Sequence, residues 1–273
     1  MSTTWQGERP PPARSIGMLG WLLVFLRGLP LAVLVFGGLI LLLLIRAIER
    51  PFFGMARPVT PYLTVFVCRN ALRIIGIGFS ASGQPMVGQG AVVANHSSWL
   101  DIFVLNASKR IYFVSKSEVA AWPGIGWLAR ATGTLFIERN RNKAAEQSVK
   151  LQSRLQAGHK LLFFPEGTSS DGQRVLPFKS SLFAAFFSPE LRDVLSVQPV
   201  TVAYQAPDNA DPRFYGWWGD MDFGSHFLWM LATPRHGAVK LTYHMPLKVS
   251  EFQDRKALAA ACEQQIRSVH LTG

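Results

Sequence analysis

The chain has 273 residues, of which 49% are hydrophobic, and it carries a formal net charge of +11 with an isoelectric point near 10.1. Such a charge favours anionic partners, which include nucleic acids, anionic lipids and acidic carrier proteins. The sequence has no zinc-finger spacing and no RNP-like aromatic block, which excludes nucleic acid from the expected partners, and the distant cysteines Cys68 and Cys262 indicate small apolar side chains or free thiols.

The chain begins with a short leader that contains the tract Pro10-Pro11-Pro12, and we predict residues 1–15 to be disordered. An apolar stretch follows over residues 16–48, and residues 28–45 within it carry no charge. As a helix the uncharged part would cover about 27 Å, close to the ~30 Å hydrocarbon core of a bilayer. The stretch therefore predicts a membrane-anchoring segment, and it makes an anionic membrane the expected partner of this basic chain.

A single membrane helix has two alternatives. Arg27 and Pro30 interrupt the apolar stretch, which leaves a re-entrant or two-helix interfacial hairpin open. A cleaved signal peptide is disfavoured, because the stretch is too long and no small-residue cleavage pattern follows it. Arginines are more numerous after the stretch than before it, so the positive-inside rule predicts that the rest of the chain faces the cytoplasm from the inner membrane. Those after it are Arg46, Arg50, Arg57, Arg69 and Arg73, and those before it are Arg9 and Arg14.

Residues 61–77 have apolar side chains at helical spacing, and Arg69, Asn70 and Arg73 interrupt them. This pattern is typical of an amphipathic helix that lies on the bilayer, and almost equally of an ordinary core helix. We predict residues 49–80 to be an interfacial connection. The remaining residues, 81–273, are numerous enough to form one globular domain with its own core.

Strand-like and helix-like runs alternate in the predicted globular domain. Such alternation is typical of an α/β sandwich with a mostly parallel sheet. The predicted strands are residues 90–94, 110–115, 134–137, 160–164, 194–203 and 239–245. The predicted helices are residues 98–107, 143–157, 180–187 and 254–269.

The most informative motif pairs His96 with Asp101, in a segment that follows the first predicted strand of the domain. Histidine suits general-base chemistry near neutral pH, and a carboxylate on its second ring nitrogen fixes the tautomer and stabilises the imidazolium. A spacing of five residues does not place two side chains on one helical face, so we expect the pair to span a loop-to-helix junction. Ser98 and Asp101 match a capping box there, and free amides at the helix start are candidate oxyanion donors.

No activated nucleophile accompanies this pair in the sequence. The segment Gly78-Phe79-Ser80-Ala81-Ser82 lacks the final glycine of a nucleophile elbow, and neither cysteine lies in a block typical of thiol enzymes. The pair therefore favours direct acyl transfer. Taken alone, the segment also fits a structural histidine and a helix-capping aspartate.

A second block, Phe164-Pro165-Glu166-Gly167-Thr168, breaks an apolar run at its carboxyl end, where open α/β sheets bind ligands. We therefore expect Glu166 to face the cleft. Further along, Lys179 precedes a helix-like run, where it either contacts the acceptor or the donor's phosphates or is an ordinary solvated lysine. Pro199 interrupts a β-branched run, so it is expected at an edge or a bulge.

Four ordered blocks resemble those of the lysophospholipid acyltransferase superfamily: the His-x4-Asp box, Gly133-Thr134-Leu135-Phe136-Ile137-Glu138-Arg139, the Phe-Pro-Glu-Gly-Thr block, and Pro199-Val200. The resemblance implies a glycerolipid-acyltransferase-like α/β sandwich, with acyl-CoA or acyl carrier protein thioester as co-substrate and neither a further cofactor nor a metal. It also implies that Glu166 and Arg139 hold the acceptor headgroup, the arginine typically through a phosphate. The other implied substrate-site residues are Gly133, Phe136, Ile137, Phe164, Pro165, Gly167, Thr168 and Lys179, with Pro199 shaping the acyl-donor channel.

Within that superfamily, the sequence around the blocks looks most like the bacterial lyso-ornithine lipid acyltransferases. The likeness lies in residues 94–101, 113–119, 122–130 and 214–222. It implies a lysolipid acceptor whose 3-hydroxyl belongs to an N-acylated amino acid. The family often has arginine where this chain has Ser169, which weakly favours a headgroup without phosphate. The alternatives are a 1-acylglycerol-3-phosphate acyltransferase that makes phosphatidic acid and, from a different class, a non-catalytic membrane scaffold.

Overall fold

The computed structural model describes residues 4–11, 15–88, 90–138 and 144–270. Within these residues eight strands form one sheet. In chain order they are β1 (Gly78–Ser82), β2 (Gly90–Ala94), β3 (Tyr112–Lys116), β4 (Leu135–Ile137), β5 (Leu161–Phe163), β6 (Ser196–Gln205), β7 (Ala238–Tyr243) and β8 (Leu247–Lys248). In space they follow the order β1-β7-β6-β2-β5-β3-β4, and β8 also pairs with β6.

Most of these strand pairs are parallel, which confirms the predicted fold class. Strand β2 runs parallel to both of its neighbours, β5 and β6, and β3 runs parallel to β4 and β5. Strand β1 is parallel to β7, whereas β7 and β8 pair antiparallel with β6. The carboxyl ends of β2, β5, β3 and β4 therefore lie along one edge of the sheet, where three of the four sequence blocks begin or end.

Helices cover both faces of the sheet. They are α1 (Met18–Phe53), α2 (Thr60–Ile75), α3 (Asp101–Ser108), α4 (Ile125–Thr132), α5 (Ala144–Gln156), α6 (Pro189–Arg192), α7 (Phe223–Ala232) and α8 (Arg255–His270). Short 3₁₀ helices span Ser117–Ala121, Ser180–Phe187 and Val249–Glu251, so the helix predicted at residues 180–187 is of the 3₁₀ type. The sequence patterns did not indicate β1, α4 or α7, because α4 is short and α7 is apolar on almost all sides.

Strand β2 shows how the sheet divides the core in two. Val92 and Ala94 belong to a cluster with α2, α3 and α7, whereas Ala91 and Val93 belong to a second cluster with α5, α8 and the 3₁₀ helix Ser180–Phe187. Successive side chains of a strand point to opposite faces, so every residue of β2 is buried and no polar alternation is visible in its sequence. The result is an α/β sandwich with the sheet in the middle.

Helix α1 is continuous, so the interruption predicted at Arg27 and Pro30 is not present and the two-helix alternative is wrong. The guanidinium of Arg27 donates to three carbonyls at the end of α7, those of Leu231, Thr233 and Pro234. Helix carbonyls at a carboxyl terminus attract cations, so the charge that was expected to break the helix instead attaches it to the domain. By length and composition alone, α1 could cross a membrane.

Helix α2 has one face in the core and one exposed apolar face, so it has features of both predicted types, the core helix and the amphipathic surface helix. Cys68, Leu72 and Ile75 are buried in the sheet's core, whereas Tyr62 and Phe66 are more than half exposed. Its first turn is fixed by Glu49 of α1, whose carboxylate accepts hydrogen bonds from the backbone N–H groups of residues 59 and 60. The division of the chain at residues 48 and 80 stays a prediction, but α2 and β1 pack as parts of the globular core.

Pro199 lies in the interior strand β6, opposite Val93 of β2, so the expectation of an edge or bulge is wrong. Its carbonyl accepts the N–H of His244, just beyond β7, while β8 pairs with β6 only from Leu247 onward. A residue's N–H and C=O point to the same side of a strand. At Pro199 this side of β6 faces the gap between β7 and β8. The missing N–H of proline therefore costs no hydrogen bond between strands.

Residues 4–11 belong to the leader that was predicted to be disordered, yet they lie against the domain. The N–H of Trp5 donates to Thr168 Oγ1 at 3.2 Å, and the indole of Trp218 donates to the carbonyl of Glu8 at 3.1 Å. The Glu8 carboxylate is 3.4 Å from the guanidinium of Arg213. This part of the leader therefore contacts the loop after β5 and the loop before α7.

Candidate active site

His96 and Asp101 lie in direct contact at the carboxyl end of β2. Nδ1 of His96 is 2.7 Å from Oδ2 of Asp101, across the short loop that joins β2 to α3. The aspartate is fully buried, while the histidine side chain keeps 20% of its surface exposed. An ionised carboxylate accepts hydrogen bonds only, so Nδ1 carries the proton and Nε2 is left as the basic nitrogen. The predicted pairing across a loop-to-helix junction is therefore present.

Asp101 is held by more hydrogen bonds than the sequence suggested. Oδ2 also accepts the N–H groups of Ser97 and Ser98 at 2.8 and 3.1 Å, and Oδ1 accepts the hydroxyl of Tyr204 at 2.7 Å. A buried carboxylate needs such partners to offset its desolvation. Helix α3 begins at Asp101 without a side-chain cap from Ser98, so the predicted capping box is only half formed: the N–H of Ser98 donates to the carboxylate of Asp101. Asp101 occupies two of the amides near this helix start, and the expectation that other amides there stabilise an oxyanion stays a prediction.

The block after β5 positions the histidine ring and its backbone. The ring of Phe164 stacks on the ring of His96, with centroids 3.9 Å apart and planes 11° from parallel. The N–H of His96 donates to Oε1 of Glu166 at 2.7 Å, and its carbonyl accepts the N–H of Ser170 at 2.9 Å. Because β2 and β5 are adjacent parallel strands, the loops that follow them meet directly, and each fixes the other.

Glu166 does not face a cleft, so that expectation is wrong. It is only 2% exposed, and its two oxygens accept the backbone N–H groups of His96 and Leu176. Burial raises the pKa of Glu166 to about 8, against the opposing effect of those two amides. The carboxyl group of Glu166 thus ties the histidine loop to the segment before Lys179. Because Glu166 is buried and both of its oxygens accept backbone N–H groups, its side chain is not positioned to contact an acceptor headgroup.

Lys179 packs against the loop that follows β5, which contains Pro165 and Gly167. Gly167 has a left-handed φ of +72°, and a Cβ built on it would lie 2.7 Å from Nζ of Lys179, so the ammonium group rests against the glycine. The N–H of Lys179 donates to the carbonyl of Pro165. A side chain at position 167 would both strain the backbone and displace the lysine. Ser169, at the position where the resemblance often implies an arginine, is buried.

The second block lies further along the same sheet edge. Phe136 and Ile137 are half-buried in β4, which is separated from β2 by β5 and β3, a distance of about 14 Å at ~4.8 Å per strand. Gly133 ends α4 in a left-handed conformation, and its carbonyl accepts a hydrogen bond from Arg154. The predicted phosphate contact Arg139 lies outside the described residues. The described residues of the block, 133–138, therefore lie on the predicted edge of the sheet, but two strands separate β4 from β2, which precedes His96.

Three contacts of the catalytic loop were missed by the sequence analysis. Tyr204 bonds Asp101, Asn95 exchanges two hydrogen bonds with the backbone of Val202, and the N–H of Trp217 donates to the carbonyl of Ser97. The first had a signal in the sequence, because Tyr204 follows Val202 at the two-residue period of β6 and so faces α3. The other two depend on which strands and loops become neighbours.

The arrangement can perform base-catalysed acyl transfer without a covalent enzyme intermediate. Nε2 of His96 remains available to take a proton, and the buried aspartate stabilises the imidazolium that forms. Both cysteines are buried, and burial raises the pKa of each thiol to about 12, so neither is an activated nucleophile. They are the small buried side chains that the sequence indicated.

Comparisons with known proteins identify the family of this chain. The Acyltransferase family profile matches residues 82–203. A lyso-ornithine lipid O-acyltransferase of Rhodobacter capsulatus is 54% identical over 264 residues, which covers 97% of this chain and 96% of that protein. A 1-acyl-sn-glycerol-3-phosphate acyltransferase of Neisseria gonorrhoeae is 32% identical and covers 74% of this chain and 78% of that protein.

The fold also matches a solved structure. The crystal structure of the 1-acyl-sn-glycerophosphate acyltransferase from Thermotoga maritima superposes with a TM-score of 0.63 and covers 93% of each chain. The two sequences are 21% identical, so this similarity shows the shared fold. It confirms the predicted α/β architecture with its mostly parallel sheet.

Proposed function

Because this chain belongs to the acyltransferase family and is an O-acyltransferase that acts on lysolipids, we propose that it transfers a fatty acyl group from a thioester to the hydroxyl of lyso-ornithine lipid, or of a similar lyso-aminolipid. One observation carries the chemistry. Nδ1 of His96 contacts buried Asp101 at 2.7 Å, which leaves Nε2 for the acceptor's hydroxyl.

The proposed reaction is a direct transfer. Nε2 of His96 takes the proton of the acceptor hydroxyl while that oxygen attacks the thioester carbonyl. Asp101 stabilises the imidazolium during this step. The tetrahedral intermediate then collapses, the carbon–sulfur bond breaks, and the departing thiolate receives the proton from His96. The products are the ester and a free thiol, either of CoA or of an acyl carrier protein.

The identity of the acceptor is the finer part of the proposal. Several relatives named lyso-ornithine lipid O-acyltransferases match this chain, among them one from Brucella abortus at 38% identity, and the relative with 54% identity spans nearly the whole length. A 1-acylglycerol-3-phosphate acyltransferase remains the second candidate, supported by the Neisseria relative. The buried Ser169 in place of arginine favours the first. The non-catalytic scaffold considered from the sequence is not retained.

We further propose that α1 attaches the enzyme to the cytoplasmic face of the inner membrane, where both candidate donors occur. Cβ atoms built on Gly20 and Gly38 would lie 3.4 Å from Ala232 of α7 and 2.7 Å from Val67 of α2. These two positions are about 27 Å apart along the helix. A helix in contact with the domain over that length lies along it, which favours a position in the membrane interface over a perpendicular span.

The test is an acyl-transfer assay of the purified protein in mixed micelles. Lyso-ornithine lipid and lysophosphatidate are compared as acceptors at matched surface concentration, each with acyl-CoA and with acyl carrier protein as donor. We expect the higher kcat/KM with lyso-ornithine lipid, and none of this activity in His96→Ala. Faster turnover of lysophosphatidate would overturn the acceptor and leave the acyltransferase chemistry standing.

A further inference from the structure

We propose that a cavity beside α7 binds the cationic headgroup of the acceptor lipid, an inference that rests on the proposed function. The cavity lies between four residues near the start of the chain, the loop of residues 210–222 and the first turns of α7, and those four residues are Gln6, Pro10, Pro11 and Ile16. Its volume is about 590 Å³, within the range of roughly 300–1,000 Å³ that small-molecule sites occupy.

The walls of the cavity suit the apolar part of an amphiphile. Apolar side chains from all three segments contribute to them, so a hydrocarbon chain would meet a largely apolar surface. These side chains are Pro10, Pro11, Ile16, Phe214, Leu228 and Trp229. Residue 16 lies just before the apolar helix α1, so the cavity adjoins the part of the protein that we place at the membrane.

The charges that line the cavity favour a cation. Asp211, Asp220 and Asp222 carry three negative charges against the single positive charge of Arg213, in a chain whose net charge is +11. Arg213 pairs with Asp211 at 2.8 Å, and Asp222 accepts the N–H of Ser225 as the N-cap of α7, so Asp220 is the carboxylate that we assign to the ammonium group. An ammonium group would be attracted here, whereas a phosphate dianion would meet like charge.

A buried histidine adds a second, independent feature. His226 lines the cavity and is 4% exposed, and its Nδ1 accepts the indole N–H of Trp99 at 2.9 Å. Nε2 meets no hydrogen-bond partner at good geometry among the described residues, although a backbone interaction with the carbonyl of Gly216 opposes the lowering of the ring's pKa. Burial lowers the pKa of His226 to about 4, so the ring is neutral and its Nε2 carries a proton. Such a donor suits a carbonyl oxygen of the ligand, such as the amide of an N-acylated amino acid.

The cavity also adjoins the catalytic loop. Trp99, which bonds His226, lies between His96 and Asp101 in the chain. Gly216 lines the cavity, and the next residue, Trp217, donates its N–H to the carbonyl of Ser97. In a 3-hydroxyacyl amide the reacting hydroxyl lies close to the amide carbonyl. A headgroup held in this cavity would therefore present its hydroxyl toward the loop that carries the base.

The first test compares Asp220→Asn with Asp208→Asn, an exposed aspartate outside the cavity lining. We expect Asp220→Asn to raise the KM for lyso-ornithine lipid several-fold, with kcat and the KM for lysophosphatidate nearly unchanged. Asp208→Asn should leave all of these constants as they are. Asp220→Lys should move the kcat/KM ratio further toward lysophosphatidate. An equal effect of Asp220→Asn on both acceptors, or no effect, would overturn the inference.

The second test separates binding from turnover. In the His96→Ala background, equilibrium binding of radiolabelled lyso-ornithine lipid in mixed micelles should weaken when Asp220→Asn is added, and should not change when Asp208→Asn is added. Binding that ignores Asp220 while the wild type acylates this lipid would refute the cavity alone. A wild-type enzyme that does not acylate the lipid at all would refute the proposed acceptor and the cavity together.

Discussion

At the scale of single residues, the proposed catalytic pair depends on an aspartate whose two oxygens are both hydrogen-bonded. Asp101 receives His96, two backbone amides and the Tyr204 hydroxyl, and it has no exposed surface. Such a carboxylate cannot turn toward another partner without losing several hydrogen bonds inside a buried site. His96 is correspondingly fixed, since its ring also rests on Phe164. His96, the proposed base, is therefore held in place before any substrate arrives.

Replacing the base should remove most of the activity. For His96→Ala we expect kcat to fall by at least ~10²–10⁴-fold, the usual contribution of a general base. The thermal midpoint should change little, because the side chain is partly exposed. Steady-state kinetics and thermal unfolding of the same preparation check both points. Near-full activity in well-folded His96→Ala would contradict the mechanism.

Asp101→Asn should be less severe, although still large. The amide oxygen can accept from His96, Ser97 and Ser98, and its NH₂ group can donate to the hydroxyl oxygen of Tyr204, so the tautomer of His96 survives. The negative charge that stabilises the imidazolium is lost. We expect kcat to fall less than in His96→Ala while KM changes little. A loss equal to that of His96→Ala would indicate that the loop has collapsed.

Glu166 should make stability depend on pH. Burial raises its pKa from the ordinary 4.5 to about 8, so the stability that the protonated form contributes is complete below 4.5 and is lost as pH rises through about 8. Glu166→Gln cannot ionise. The free energy of unfolding of the wild type should therefore decline relative to this variant between those two pH values. Urea unfolding of both proteins across the range is the measurement, and parallel pH profiles would contradict the assignment.

At the scale of elements, the joint between α1 and α2 depends on a glycine. A Cβ on Gly38 would lie 2.7 Å from a methyl of Val67, whereas a Cβ on the neighbouring Gly37 meets nothing within 4 Å. Leucine at position 38 would overpack this joint, which typically costs about 1–3 kcal/mol. Both substitutions raise helix propensity equally. The pair therefore separates helix packing from helix formation.

We expect Gly38→Leu to lower the thermal midpoint in detergent and Gly37→Leu to leave it unchanged or slightly raised. Differential scanning calorimetry of the two variants beside the wild type is the measurement. If both variants behave alike, α1 does not pack on α2 in the way described here.

At the scale of the whole molecule, the net positive charge and the apolar helix α1 both favour binding to an anionic membrane. Helix α1 leaves many large apolar side chains exposed, and the net charge of the chain is +11. Exposed apolar surface on this scale marks a membrane or protein contact. Apolar burial does not weaken with salt, whereas attraction to anionic lipid does.

Binding to vesicles should therefore have two components. We expect the protein to float with anionic vesicles at ~0.1 M salt, to bind less to neutral vesicles, and to keep part of its binding at ~1 M salt, where charges are screened within about 3 Å. Flotation of the purified protein with each kind of vesicle measures this. Complete release from anionic vesicles at high salt would mean that α1 is not inserted.

The sequence by itself determined the features that depend on local pattern. The strand at residues 90–94, the apolar length of α1 and the His96–Asp101 spacing each follow from neighbouring residues, and each is present in the structure. The stacking of Phe164 on His96 could be predicted only in part. The sequence located the block that contains Phe164, but it did not indicate that this block lies beside His96. Neighbouring strands of a parallel sheet are joined by long crossover connections, so the sequence does not show which strands become neighbours.

Only the tertiary structure decided which groups became partners. Tyr204 reaches Asp101 from 103 residues away, Glu166 is turned inward to two backbone amides, and the Arg27 guanidinium donates to carbonyls at the end of α7. None of these contacts has a local signature, because each depends on the order of strands in the sheet and on which loops meet at its edge. From the sequence we expected Glu166 to face a substrate, because its block follows the carboxyl end of a strand. Whether it does so depends on the donors that the rest of the fold brings to it.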